Sequence, residues 1–171
     1  LQLNRETKKL LMISALCHDI GKIGIPDAIL KKPSALTAEE YEEMKLHPTI
    51  GSTIMAKIPN AKRFLSGIRS HHEKWDGSGY PNRLSGEDIP LPGRICALAD
   101  VFDALSSKRC YKDAWPLEKT LAEIRSSSGK HFDPRLVEIF EELLPVILNV
   151  QQTHSDMETP KFELTEANYL A

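Results

Sequence analysis

Cysteine is scarce and unpatterned. Cys17, Cys96 and Cys110 are an odd number without CxxC spacing, which argues against a disulfide framework and against a thiolate zinc site. That usage fits a reducing, cytoplasmic setting. Long apolar runs are also missing: Leu10 to Leu16 is interrupted by Ser14 and followed by His18 and Asp19, far short of the roughly 20 residues of a membrane span. The first residues, Leu1-Gln2-Leu3-Asn4, lack an initiator Met and a basic signal region, so they read as a cut edge. Charge of one sign is not in excess either. With 22 Lys and Arg against 24 Asp and Glu, the net charge is −2, which supplies no general attraction to nucleic acid or to an acidic membrane. An anionic ligand must therefore meet cations placed locally. Sustained strand alternation, internal repeats and low-complexity segments are absent as well.

What remains is a chain of helical patterns. Its 171 residues suit one domain with a buried core. Leu10, Leu11, Ile13 and Leu16 recur at helical spacing, and Gly21, Gly24 and Pro26 end that helix, so His18 and Asp19 fall at its terminus. Thr37 with Glu40 three residues on predicts a capping box, with Tyr41 and Met44 on one face and His47 extending it. Pro48 restarts the backbone, and Ile50, Ile54 and Ile58 follow four apart. Phe64, Leu65 and Ile68 predict a buried stripe that leads to His71 and His72. Gly77, Gly79, Pro81 and Gly86 shape a loop from Asp76 to Pro92. Ile95, Leu98, Phe102 and Leu105 mark the next helix, with Asp100 and Asp103 on a neighbouring face, and two more helices start from Pro116 and from Asp133-Pro134. The last of these, with Leu136, Ile139, Phe140, Leu143, Leu144 and Ile147, reads as well buried. The fold class is all-α, residues 1–150 form the domain, and residues 151–171 are a polar extension.

His18, Asp19, His47, His71, His72 and Asp100 face the interior in this reading. Any one of them alone is a hydrogen-bonded core histidine or a solvated acid. Burying the whole set without a cation is expensive, so the pattern points to metal. A nitrogen-rich set with carboxylates and no thiolate suits iron, manganese or zinc better than magnesium or calcium. The adjacent pairs His18-Asp19 and His71-His72 suggest two ions close together. Trp75 and Trp115 read as packing residues.

The segment His18-Asp19-Ile20-Gly21-Lys22 resembles the signature of the HD superfamily of metal phosphohydrolases. The run His71-His72-Glu73-Lys74-Trp75-Asp76-Gly77-Ser78-Gly79-Tyr80-Pro81 resembles the more specific HD-GYP signature. Similarity extends from about Leu10 to about Ile147 and includes the stretch from Ala99 to Leu105. The resemblance implies an HD-type helical bundle with a GYP loop between helices, holding two or more divalent ions of iron or manganese type. It implies hydrolysis of cyclic di-GMP to linear pGpG, and onward to GMP, by a metal-bridged hydroxide. His18, Asp19, His47, His71, His72 and Asp100 match the family's ligand positions, with Asp19 as the bridge. Lys22 would act on the phosphate beside Asp19, and Asp103 would either support a ligand or face solvent. Arg109 and Lys112 match positions that meet a substrate phosphate, and Gly79, Tyr80 and Pro81 form the named loop. The alternatives are an HD hydrolase of another cyclic dinucleotide or phosphoester, and a non-hydrolysing module that docks other signalling proteins through the loop. An upstream sensory or receiver domain is expected in the full-length protein.

Two octahedral ions offer about twelve positions, of which the six side chains with a bridging Asp19 and a bridging hydroxide fill only about nine. Relatives of this kind add a histidine, at times with a glutamate, from a helix before the HD helix, and Glu6 is too near in sequence to substitute. The domain is therefore expected to lack its first helix and to show an apolar face along Leu10 to Leu16.

Overall fold

A computed structural model describes residues 3–59, 61–107 and 114–155. Eight α-helices occur among them: α1 (Arg5–Cys17), α2 (Asp27–Leu30), α3 (Ala38–Met44), α4 (His47–Met55), α5 (Leu65–Ser70), α6 (Leu91–Ser106), α7 (Leu117–Ser126) and α8 (Pro134–Ser155). No strand is formed among the described residues; an isolated bridge joins Ser128 and Phe132. No helix there is long and apolar enough to cross a membrane. The chain divides into two units, Leu1–Glu138 and Ile139–Ala171.

Local chemistry sets the helix starts. Asn4 accepts the Thr7 amide at 2.8 Å to open α1. The capping box of α3 forms as expected: the Glu40 amide donates to Thr37 Oγ1 and the Thr37 amide to Glu40 Oε2 at 2.7 Å. Lys32 adds an ion pair to Glu40 at 2.6 Å.

Within the first unit, small residues decide which helices meet. Ser14 on α1 is fully buried and donates its hydroxyl to the Phe64 carbonyl at 3.0 Å, across the start of α5. Gly67 on α5 lies so near Ser14 and Pro92 that an added Cβ would stand 2.7 to 2.8 Å from them, and Gly93 on α6 is equally pressed against Ser70. α5 is therefore clasped between α1 and α6 at points where backbones approach. Met55, Ala61, Phe64 and Ile68 form an apolar cluster, joined by Leu10, Ile13 and Cys17.

Several periodic positions turn outward. Leu16 is 77% exposed and Met12 57%, so α1 keeps an apolar outer face while Leu10 and Ile13 pack inward. Ile54, Ile58 and Tyr41 are exposed as well. α8 is buried at Leu136 and Val137 but exposes Leu143, Val146 and Val150 beyond. The expectation of a well-buried last helix thus fails for its second half, where apolar side chains occupy too wide an arc for one buried stripe.

Candidate metal centre

Helix ends gather the polar cluster. His18 follows the last residue of α1, and Asp19 opens a 3-10 turn from Ile20 to Gly24. A Cβ at Gly21 would collide with the backbones of His47 and Gly51, so glycine there lets the 3-10 turn lie directly on α4. That approach sets Asp19 Oδ1 3.3 Å from His47 Nε2 and 3.8 Å from His71 Nε2. His71 caps α5, and His72 follows it.

The imidazoles are oriented within their own turns. His18, His47 and His71 each donate Nδ1–H to the carbonyl three residues earlier, Ala15 at 2.6 Å, Met44 at 2.7 Å and Ile68 at 2.7 Å. A carbonyl only accepts, so these bonds put the proton on Nδ1 and leave each Nε2 as a bare lone pair. Yet His47 Nε2 lies 3.2 Å from His71 Nε2 and 3.1 Å from His72 Nε2. The His47 and His71 lone pairs repel at that distance unless a cation sits between them. Donors about 2.1 Å from a shared ion lie about 3.0 to 3.4 Å apart in octahedral or tetrahedral geometry, which is the spacing found here. Atoms of Asp19, His47, His71 and His72 all come within 4.8 Å of one another, so the residues present fit a divalent metal.

His18 and Asp100 stand at the edge of this group. His18 Nε2 is 3.4 Å from Asp19 Oδ2 and 4.0 Å from Asp100 Oδ1, and the His18 and His71 rings meet edge-on at 4.9 Å. Lys22 Nζ donates to Asp19 Oδ2 at 2.5 Å. Asp103 Oδ1 accepts from the Ser107 hydroxyl at 2.9 Å near the end of α6. Arg109 and Lys112 lie outside the described residues.

Electrostatics agrees with a cation-binding role. Burial pushes the His71 ring down to about 4 and that of His72 lower still, with neighbouring imidazoles adding to the effect. Burial alone would raise the Asp19 carboxyl, but the surrounding imidazoles, His47 first, and the hydrogen bond and charge of Lys22 outweigh it and hold it well below the usual range. Neutral rings and an ionised carboxylate at neutral pH are the forms that ligate.

The loop after α5 is fastened to this centre. The buried Glu73 accepts the Asn82 amide at 2.7 Å and the Leu84 amide at 3.0 Å. A Cβ at Gly79 would strike the backbone of Glu73 and Lys74. The Tyr80 amide donates to the His72 carbonyl at 3.2 Å, and the Tyr80 ring stacks on the His72 ring at 4.8 Å. The Tyr80–Pro81 peptide is cis. Glu73 was not singled out by sequence reasoning, although an acid adjoining two interior histidines was the available signal. Lys45 was not singled out either, and Tyr41 was read only as sharing a helix face with Met44 and His47.

A family model described as "HD domain" matches residues 1–136. The chain belongs to the HD domain family. Within it, the run from His71 to Pro81 places the chain in the HD-GYP group. It is 51% identical over 139 residues to a cyclic di-GMP phosphodiesterase of Vibrio cholerae, covering 77% of this chain and 28% of that protein. To a 3'3'-cGAMP-specific phosphodiesterase of the same organism it is 51% identical, covering 73% of this chain and 24% of that protein. A cyclic di-GMP phosphodiesterase of Thermotoga maritima is 47% identical, covering 87% and 41%. The chain thus spans from about a quarter to about two fifths of the length of these relatives. Among solved structures, a cyclic GMP-AMP specific phosphodiesterase of Vibrio cholerae superposes with a TM-score of 0.64 at 26% identity, over 84% of this chain and 40% of that one.

Proposed function

We propose that this chain is the hydrolytic module of a metal-dependent phosphodiesterase that opens cyclic di-GMP to linear pGpG and continues to GMP. The observation that carries the proposal is the convergence of the bare His47 and His71 nitrogens on the Asp19 carboxylate, with His72 beside them. His18, Asp19, His47, His71, His72 and Asp100 would hold two or more ions, with Asp19 between them. Iron or manganese suits this imidazole-rich set. When bound, such ions supply Lewis acidity towards the phosphate and lower the pKa of a water to near neutrality.

The remaining roles belong to the chain's own groups. Lys22 Nζ carries a proton and a positive charge beside Asp19, where both serve the phosphate as its oxygen departs. Gly79, Tyr80 and Pro81 form the wall next to His72. Burial raises the Tyr80 hydroxyl well above its usual range, so it stays neutral and presents an apolar ring. Arg109 and Lys112 are assigned to a substrate phosphate. The greater length of the relatives, one of them named a response regulator, supports an upstream sensory or receiver domain, and the unpaired cysteine usage supports a cytoplasmic setting.

The 51% identity to a 3'3'-cGAMP-specific phosphodiesterase favours that dinucleotide as a second reading. Turnover of both compounds by manganese- or iron-loaded protein, followed by chromatography of products, decides between them. The expected result is pGpG from cyclic di-GMP. Metal-loaded protein that cleaves no cyclic dinucleotide would leave a binding module that docks signalling proteins through its loop.

A further inference from the structure

Beside the metal cluster, α3 and the loop after α5 enclose a cleft of about 580 Å³, within the size range of small-molecule sites. Its lining is unusual for a chain of net charge −2. Lys45, Lys74 and Arg83 supply three cations against the one carboxylate of Glu42, and Tyr41 and Tyr80 supply two aromatic rings. Lys45 Nζ lies 5.3 Å from the centre of the Tyr41 ring and 5.8 Å from that of Tyr80. It also pairs with Glu42 at 2.5 Å, where Glu42 is 70% exposed. Lys45 itself is only 24% exposed, so the solvent-screened partner is the Glu42 carboxylate, and a ligand of higher charge can displace it.

Arg83 extends the basic rim of the cleft. Its φ is +57°, a left-handed conformation that carries a steric cost for a non-glycine residue. That cost is borne by a cation on the rim of the cleft. The cleft also adjoins the cluster, because Tyr80 lines it while stacking on His72 at 4.8 Å. A substrate phosphate at the metals would therefore leave the rest of its molecule at the mouth of this cleft. A cyclic dinucleotide carries a second phosphate in the same ring and two flat bases, and the cleft offers cations for the one and aromatic faces for the other.

We propose that the cleft between Tyr41, Lys45, Lys74, Tyr80 and Arg83 is the subsite for the half of the dinucleotide that is not being cut. Lys45, Lys74 and Arg83 hold its phosphate, and Tyr41 flanks its base. This rests on the phosphodiesterase reading above and adds what separates a cyclic dinucleotide from a simple diester. Glu42 competes for Lys45 and so restrains affinity.

The test compares kcat/KM for cyclic di-GMP with that for bis(p-nitrophenyl) phosphate, which has one phosphate and no second nucleotide. Lys45→Ala is expected to lower the ratio of the two about tenfold, the loss of one charge-assisted contact. Arg83→Gly should lower it similarly while leaving the melting temperature unchanged or higher, since glycine accepts the left-handed φ. Glu42→Ala should raise the ratio roughly two- to threefold, a gain that a purely structural role would not produce. Lys57→Ala, at an exposed lysine outside the cleft, should leave it unchanged. Ratios unaltered in both Lys45→Ala and Arg83→Gly, or lowered equally by Lys57→Ala, would overturn the subsite. A wild-type chain that cleaves the small diester but neither cleaves nor binds cyclic di-GMP would instead overturn the functional reading beneath it.

Discussion

At the scale of single residues, Asp19 and Lys22 touch each other yet are assigned different work. Asp19→Ala removes the carboxylate shared by His47 and His71, so metal content measured by mass spectrometry should fall together with turnover. Lys22→Ala spares the ligand set, and should retain metal while kcat drops by about 10²-fold, the usual order for loss of one group that stabilises developing charge. Near-normal kcat in that variant would return Lys22 to a supporting ion pair. Glu73 acts on the loop. Replacing it with Ala leaves the Asn82 and Leu84 amides without their acceptor, at about 1–3 kcal/mol if those amides stay buried. The measurement is hydrogen exchange, which should accelerate at these two amides before the rest of the chain. Uniform exchange across the molecule would show that Glu73 supports the whole fold.

At the scale of elements, the close contact of the 3-10 turn with α4 depends on Gly21. Gly21→Ala should cost about 1–3 kcal/mol as the crowded backbones separate, and should lower metal content by moving Asp19 away from His47. Unfolding curves and metal analysis check the two effects. The adjacency pairs of the candidate centre could be read from the sequence because neighbours in a chain stay neighbours in space: His18 with Asp19, His71 with His72. The capping box of α3 was legible for the same reason. The direction of a side chain relative to distant elements was not. Ile54, Ile58 and Leu143 keep helical period but face outward, since period fixes a stripe and not what covers it. Tyr41, read as sharing a face with Met44 and His47, is half-exposed and lines the cleft, whose walls meet only when the loop after α5 folds back through Glu73 and Gly79.

At the scale of the whole molecule, pH is the probe. His71, His72 and His131 are all held below the ordinary value of 6.5, chiefly by burial. The unfolded chain takes up protons on these rings below 6.5, whereas the folded chain resists until about 4 at His71. Stability of the metal-free protein should therefore fall as pH drops through that interval. Urea unfolding at pH 7.5 and pH 5 in the presence of a chelator measures it, and equal midpoints would contradict the assignment. The i−3 bonds of His18, His47 and His71 carry a further consequence for how the centre assembles. Because each ring is aimed by its own turn, the donors surrender little rotational freedom when an ion arrives, so capture is entropically cheap. A bound ion would then work as a rivet, fastening together helix ends that the backbone alone leaves far apart along the chain.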